Sequence, residues 1–392
     1  MTSWDAVQSF MRDKKIDGWL LYDFRGNNPI LAQVLPGKRW TTRRAILHVP
    51  ATGEPVLLVH GIDEHQFDSV TVKREKFLSW RDLQDWLKRC LAGAKNVAME
   101  YVPGGALPVV SIIDAGTVEM VRSIGVNVVS SADLVQVCVA KWSPKAHEEH
   151  FRASKQVAAI KDEAFGLIRD RLAKGQPVDE YQVQQHIIGR FQAEDLEAAE
   201  PPIVAVNAHS GDPHFEPSAK NPSQIHKGDW VLIDLWARRP GLEHTFSDIT
   251  WVGFAGKDVP AKHSEVFNVV KAARDAAVTL AKNAWTQRKA LQGWELDEAA
   301  RKEIIGAGYE RFIRHRTGHS LSPGPAVHGL GVNIDNLETH DSREVLPGIG
   351  FTIEPGVYLP EFGVRLEINV YVDPQAGPTI TSCIQDGIVA LA

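Results

Sequence analysis

The stretch Val231-Leu232-Ile233-Asp234-Leu235 is an apolar run broken by one carboxylate. Phe246-Ser247-Asp248-Ile249-Thr250 repeats the pattern, with its aspartate fourteen positions further on. Short apolar runs of this kind predict buried strands. A carboxylate inside one is costly unless a partner compensates it. Read singly, each aspartate has an ordinary alternative: it caps a turn or bonds a buried arginine. The same tension recurs downstream. Phe351-Thr352-Ile353-Glu354-Pro355-Gly356 puts a glutamate at the end of an apolar run, and Gly363-Val364-Arg365-Leu366-Glu367-Ile368 puts another inside a predicted strand. Four such carboxylates repel one another if gathered without a cation, and divalent cations suit carboxylate ligands. Thr317-Gly318-His319-Ser320 adds an imidazole ahead of a Gly/Pro-rich loop. An oxygen-rich set with one imidazole suits Mn(II), Fe(II), Co(II) or Zn(II) rather than a thiolate zinc site.

Around these runs the chain reads in two parts. Before residue 140, short strands are predicted at Asp17–Tyr22, Ala45–Val49, Pro55–Val59, Asn96–Met99 and Asn127–Val129, with a helix over Trp80–Leu91. Ser143-Pro144 then starts a long helix, a capping hydroxyl followed by proline in the first turn. That helix runs to about Leu172 and stops at Gly175. A second helix covers Asp179–Gln192, and the acidic, Ala-rich run Ala193–Glu200 offers an extension of it. Strands follow at Pro202–Val206 and Trp230–Trp236, helices at Ala261–Ala284 and Asp297–Ala307, and strands again at Gly350–Glu354, Gly363–Val372 and Thr379–Thr381. The fold class is α/β (α+β), with domains at residues 1–140 and 141–392.

Composition removes other classes. The 392 residues carry 43 Lys+Arg against 49 Asp+Glu, a formal charge of −6, which argues against a nucleic-acid-binding footprint. An apolar share of 44% and a charged share of 23% belong to a globular chain long enough to bury a core without covalent staples. Cys90, Cys138 and Cys383 are far apart, so neither a disulfide framework nor a thiolate knuckle is expected. Their expected role is as buried apolar residues. The first fifteen residues lack the apolar core of a signal peptide, and no run approaches the ~20 apolar residues of a membrane span. A cytoplasmic enzyme, off the membrane and away from nucleic acid, is the expectation. His147-Glu148-Glu149-His150 has its second histidine at i+3 instead of i+4, so it is read as a solvated helix face and not a zinc helix. No Gly-x-Ser-x-Gly elbow or phosphate-binding glycine loop is present. Trp40, Trp236 and Trp251 are read as core residues that border a pocket at most.

Taken in order, Leu232-Ile233-Asp234, Ser247-Asp248-Ile249-Thr250, Thr317-Gly318-His319, Thr352-Ile353-Glu354-Pro355-Gly356-Val357-Tyr358 and Gly363-Val364-Arg365-Leu366-Glu367 resemble the pita-bread metallopeptidase family. This family contains methionyl aminopeptidase, aminopeptidase P and prolidase. The resemblance covers the whole chain: a creatinase-type N-terminal domain followed by a pita-bread catalytic domain. It implies two divalent metal ions, manganese first, with cobalt, zinc and iron as alternatives. Asp234, Asp248 and Glu367 would hold one ion, and Asp248, His319, Glu354 and Glu367 the other, Asp248 and Glu367 bridging. It further implies hydrolysis of short peptides, Xaa-Pro bonds above all, by attack of a metal-bridging hydroxide with Glu354 as general base. His214, in Gly211-Asp212-Pro213-His214-Phe215, would line the substrate pocket near the leaving nitrogen. His328 would donate to the carbonyl oxygen as charge develops. Arg365, two residues before Glu367 on one predicted strand, would share its face. It would steady that glutamate or a substrate carboxylate, or act as a plain ion pair. A homodimer formed through the N-terminal domains is implied as well.

The chain departs from the family pattern in places. The two aspartates are usually about eleven positions apart, and the extra residues fall at Arg238-Arg239-Pro240-Gly241-Leu242. From His319 to His328 is nine positions, about two more than usual, with Ser322-Pro323-Gly324-Pro325 lengthening the loop. Ser320 stands where glycine is usual, Gly329 where prolidases carry glutamate, and Trp251 where arginine is common. These differences keep two further readings open. One is a lyase or hydrolase acting on a small non-peptide metabolite, of the dimethylsulfoniopropionate or ectoine type. The other is a non-catalytic peptide-binding module, as in histone chaperones of this fold.

Overall fold

The computed structural model describes residues 4–391. The chain divides into two compact units, Met1–Val139 and Ala140–Ala392. The outermost ends of the two predicted domains, residues 1–3 and 392, lie outside the described residues.

The first unit is built on β1 (Gly18–Phe24), β2 (Arg44–Pro50), β3 (Val56–His60), β4 (Lys73–Phe77), β5 (Asn96–Met99) and β6 (Asn127–Ser130). Their order is β4-β3-β2-β1-β5-β6, a mixed sheet in which β1–β2 and β2–β3 are antiparallel and the other neighbours parallel. Helices α1 (Trp4–Asp13), α2 (Pro29–Val34), α3 (Trp80–Cys90), α4 (Ala115–Arg122) and α5 (Ala132–Val135) accompany it. The β5 bounds match the predicted strand, whereas α1, α4 and β4 form without having been predicted, α1 despite the helical spacing of Trp4, Val7 and Met11. Helix α3 begins with a reciprocal cap between Ser79 and Asp82 and buries Leu83, Trp86 and Leu87, the spacing that predicted it.

The second unit opens with α6 (Pro144–Ala173), where Ser143 accepts from Ala146 N, and α7 (Glu180–Ala193), capped by Asp179. The extension to Glu200 does not form. Asp195 turns left-handed (φ 54°) and Leu196 N bonds back to Phe191 O, ending the helix. Strands β7 (Ile203–Val206), β8 (Trp230–Ala237) and β9 (Ser247–Phe254) form a sheet with the late β16 (Val389–Ala390), in the order β16-β9-β8-β7. Side-chain alternation splits this sheet's contacts. Val231, Ile233 and Leu235 pack with α6 and α7, while Trp230 and Leu232 join the core that holds α8 (Ala261–Thr286) and α9 (Gly293–Gly306). A sheet covered on both faces explains why β8 reads as a continuous apolar run.

The remaining strands are β10 (Ser320–Leu321), β11 (Gly350–Ile353), β12 (Gly356–Tyr358), β13 (Gly363–Arg365), β14 (Ile368–Asp373) and β15 (Gly377–Ile380). They form a β10-β11-β14-β15 sheet and a β12–β13 ribbon. The predicted strand Gly363–Val372 is therefore two strands that pair with different partners. Chain direction changes at Leu366–Glu367, where Glu367 N bonds Thr250 O instead. His150 corrects another expectation. It is fully buried, with its ring nitrogens bonded to Phe246 O (3.0 Å) and Thr381 Oγ1 (2.7 Å), so this helix face is not solvated.

Candidate active site

Strand β8 places Asp234 on the face opposite α6 and α7, and β9 pairs Asp248 with Trp236 on the same ribbon. The β10 and β11 pairing brings His319 and Glu354 to the ends of those strands, and the β13–β14 break delivers Glu367. Asp234, Asp248, His319 and Glu367 are all buried, at 7%, 4%, 2% and 3% exposure. One ligand atom each from Asp248, His319 and Glu367 lies within 4.8 Å of the others. His319 Nε2 is 3.4 Å from Asp248 Oδ2 and 3.5 Å from Glu354 Oε1. Asp234 joins through Arg365, whose Nη2 donates to Asp234 Oδ2. All five predicted ligand residues line one cavity of about 860 Å³.

Hydrogen bonds hold the ligands in a set orientation. His319 Nδ1 faces Ser320 O at 3.2 Å, which leaves the Nε2 lone pair pointing at the carboxylates. Thr352 Oγ1 accepts from His319 N (2.9 Å) and donates to Glu354 (3.1 Å). Thr250 Oγ1 accepts from Arg365 Nε (2.9 Å) and donates to Glu367 (2.8 Å). Asn369 clamps the Asp248 backbone from both sides, accepting from its N–H and donating to its carbonyl. Arg365 therefore shares a site with Glu367 although a strand break separates them. It is buried and engaged by Asp234, Thr250 and Tyr358 (Nη1 to OH 2.9 Å), and it also lines the cavity. His315 Nε2 lies 2.5 Å from that same Tyr358 hydroxyl. His315, Tyr358, Thr250, Thr352 and Asn369 were given no role from sequence. Thr250, Thr352 and Tyr358 stood inside the quoted motif stretches and His315 four residues before His319, so their positions were the signal available.

The electrostatics are those of acids forced together. Burial, then the neighbouring Asp234 and Glu354, hold the Asp248 carboxyl well above its ordinary value. Burial, then Asp248, Glu354 and Asp234, do the same to Glu367. Glu354 is pushed up to about 7, again by burial first. Burial holds His319 well below the ordinary histidine value, as a neutral imidazole. Asp234 Oδ1 and Asp248 Oδ1 are buried without a hydrogen-bond partner among the described residues. Orphaned carboxylate oxygens, mutual repulsion and a presented imidazole nitrogen fit divalent cations, which would satisfy all three at once.

The remaining predicted residues line the same cavity from its rim. His214 is exposed on the segment after β7, where its N–H bonds Asp212 Oδ1 (3.0 Å). His328 stands on the long loop after β10, its ring 4.0 Å from the His319 ring and its Nδ1 3.5 Å from Arg316 Nη2. Crowding by protein atoms, then Arg316, lowers its pKa below the ordinary value. Trp236 borders the cavity. Trp251 instead lies under the Lys161 ammonium, 3.3 Å from its ring centroid, and Trp40 is exposed on the first unit. The cysteines are half-buried, and none of them forms a disulfide among the described residues.

Comparison with known proteins follows the same lines. The chain is 30% identical over 267 residues to the uncharacterized peptidase YqhT of Bacillus subtilis, covering 67% of this chain and 69% of that protein. It is 28% identical over 235 residues to an Xaa-Pro dipeptidase of Pyrococcus horikoshii, covering 60% of this chain and 61% of that one. The chain thus spans about three fifths of the length of several curated relatives it matches. The crystal structure of dipeptidase PepE from Mycobacterium ulcerans superposes with a TM-score of 0.69 at 20% identity, over 99% of this chain and 96% of that one. At that identity the likeness shows the fold, N-terminal domain included. Residues 152–374, more than half of the sequence and the segment that bears every predicted ligand, match the model of metallopeptidase family M24, and the chain belongs to that family.

Proposed function

We propose that the protein is a dinuclear metal-dependent peptidase that hydrolyses short peptides at Xaa-Pro bonds. The observation that carries this reading is the buried Asp248–His319–Glu367 group with its unpartnered carboxylate oxygen, beside Asp234 and Glu354 in one cavity. These five residues would hold two divalent ions, manganese first, with cobalt, zinc or iron as alternatives. Bound there, the ions would supply an acidified water and Lewis-acid polarisation of a carbonyl. The chain supplies the rest. Glu354, oriented by Thr352, takes a proton at its carboxylate oxygens and passes it to the leaving nitrogen. His328 donates from the rim to the developing oxyanion, and His214 flanks the leaving group. Arg365 fixes Asp234 by a charge-assisted bond and, through Thr250, the orientation of Glu367. A homodimer in the cytoplasm belongs to the same proposal, and the absence of a long apolar helix among the described residues is compatible with it.

The experiment is hydrolysis of Xaa-Pro dipeptides and Xaa-Pro-Yaa tripeptides by protein loaded with Mn(II) or Co(II), with metal content measured alongside. Turnover of dipeptides alone identifies a prolidase-type activity, and turnover of tripeptides an aminopeptidase P type. Two bound metals with no turnover of either would sink the substrate assignment in favour of a non-peptide metabolite.

A further inference from the structure

The face of the β8–β9 ribbon that carries the two aspartates continues past them. Trp236 pairs with Asp248 and Ala237 with Ser247, so the next rung on that face sets Arg238 against Phe246. The Arg238 guanidinium carbon lies over the Phe246 ring, 4.6 Å from its centroid. One pleat period, about 7 Å, separates this rung from the one holding Asp248. It lines a second cavity of about 520 Å³ whose walls are mostly apolar, among them Phe191, Leu196, Pro202 and Pro325. Glu200 and Pro201 line both cavities, so the second adjoins the catalytic one.

The two segments that exceed the family spacing meet at this cavity. Arg238 Nη1 donates to Gly324 O, and Gly324 N donates to Leu242 O at 2.8 Å. Arg238 also exchanges both backbone hydrogen bonds with Glu197 at 2.9 Å. The lengthened turn and the lengthened loop are thus bound to each other and to the cavity rim. The loop shows one side to each cavity: Pro325 lines the second, and Ala326, Val327 and His328 line the catalytic one.

We propose that this second cavity is a specificity subsite for a large apolar or aromatic side chain on the N-terminal residue of the substrate. The distance of one rung from Asp248 suits the reach of a phenylalanine or leucine side chain from a bond held at the aspartates. Glu200, on the shared edge, supplies the negative charge that an N-terminal ammonium group seeks. This selects the amino-terminal residue over the proline side. The inference rests on the peptidase reading above.

The test compares kcat/KM for Gly-Pro, Leu-Pro and Phe-Pro in the metal-loaded wild type and in Ala199→Trp. Ala199 is exposed on the cavity wall, so the indole fills the subsite without entering the core. Wild type favours Phe-Pro over Gly-Pro by about tenfold or more, the size expected for a filled apolar pocket. Ala199→Trp removes most of that preference, and Ala198→Trp, on the same wall, does likewise. A Phe-Pro to Gly-Pro ratio unchanged in both variants overturns the subsite while leaving the peptidase reading intact. If no peptide is hydrolysed, the peptidase reading fails separately. The subsite is then decided by calorimetric titration of the metal-loaded protein with Phe-Pro and Gly-Pro, where equal affinity overturns it.

Discussion

The two units bury carboxylates in opposite ways. In the first unit, Glu100 is fully buried and surrounded by donors. Trp19 Nε1 (2.7 Å) and Ser131 Oγ (3.2 Å) donate to one oxygen, and Asn28 Nδ2 (3.2 Å) donates to the other. In the second unit, Asp248 and Glu367 face other acids, and one oxygen each of Asp234 and Asp248 has no hydrogen-bond partner among the described residues. Glu100 is a structural hub whose cost of burial is offset in part by these donors. The cluster is left short of positive charge, which is how a metal centre looks before its ions are counted. Burial of an acid therefore does not identify function. Which of its oxygens go unsatisfied does.

The comparison breaks most visibly at Asp248. Asp248→Ala should lower peptide hydrolysis by about a hundredfold or more and leave the dialysed protein depleted in divalent metal. Wild-type metal content in that variant would refute the bridging role. Next in size, Glu100→Ala should cost ~3 kcal/mol of stability by stranding its buried donors, read as a lower urea midpoint, with metal content unchanged. Metal binding tests the other half. Mn(II) at about a hundred times its dissociation constant should stabilise wild type by ~2.7 kcal/mol and leave Asp248→Ala nearly unmoved. An equal thermal shift in both proteins would place the ion elsewhere.

The smallest effect is a pH slope. Burial pushes the Glu100 carboxyl up to about 7 from an ordinary 4.5, against the pull of its Trp19, Ser131 and Asn28 bonds. The folded chain then holds this proton where the unfolded chain has released it. Stability from this group is full below pH 4.5 and is lost as pH rises through 7. Between pH 5 and 7 the loss is ~2 kcal/mol, and Glu100→Gln should flatten it. A Gln variant with the same slope would assign the titration to another group.

Much of the fold was legible because strong local signals agreed with the tertiary answer. Ser143-Pro144 started α6, the spacing of Leu83, Trp86 and Leu87 gave α3, and the apolar run at Trp230 gave β8. Helix α7 stopped at Ala193 because a left-handed residue and a backward hydrogen bond ended it, and no composition rule reports that. Strand continuity at Leu366–Glu367 failed for a related reason: the partner strands change there, and partners are not written in local sequence.

The sequence by itself determined the ligand types and their order, because a carboxylate in an apolar run is chemically anomalous wherever the run ends up. It also marked the two lengthened segments as departures. Only the tertiary structure decided that Arg365 bonds Asp234, Thr250 and Tyr358, that His315 stands behind Tyr358, and that the two long segments bond each other beside a second cavity. Each of these facts depends on pairs of residues far apart in the chain. Their distance is set by strand register and packing, which no single stretch of sequence contains.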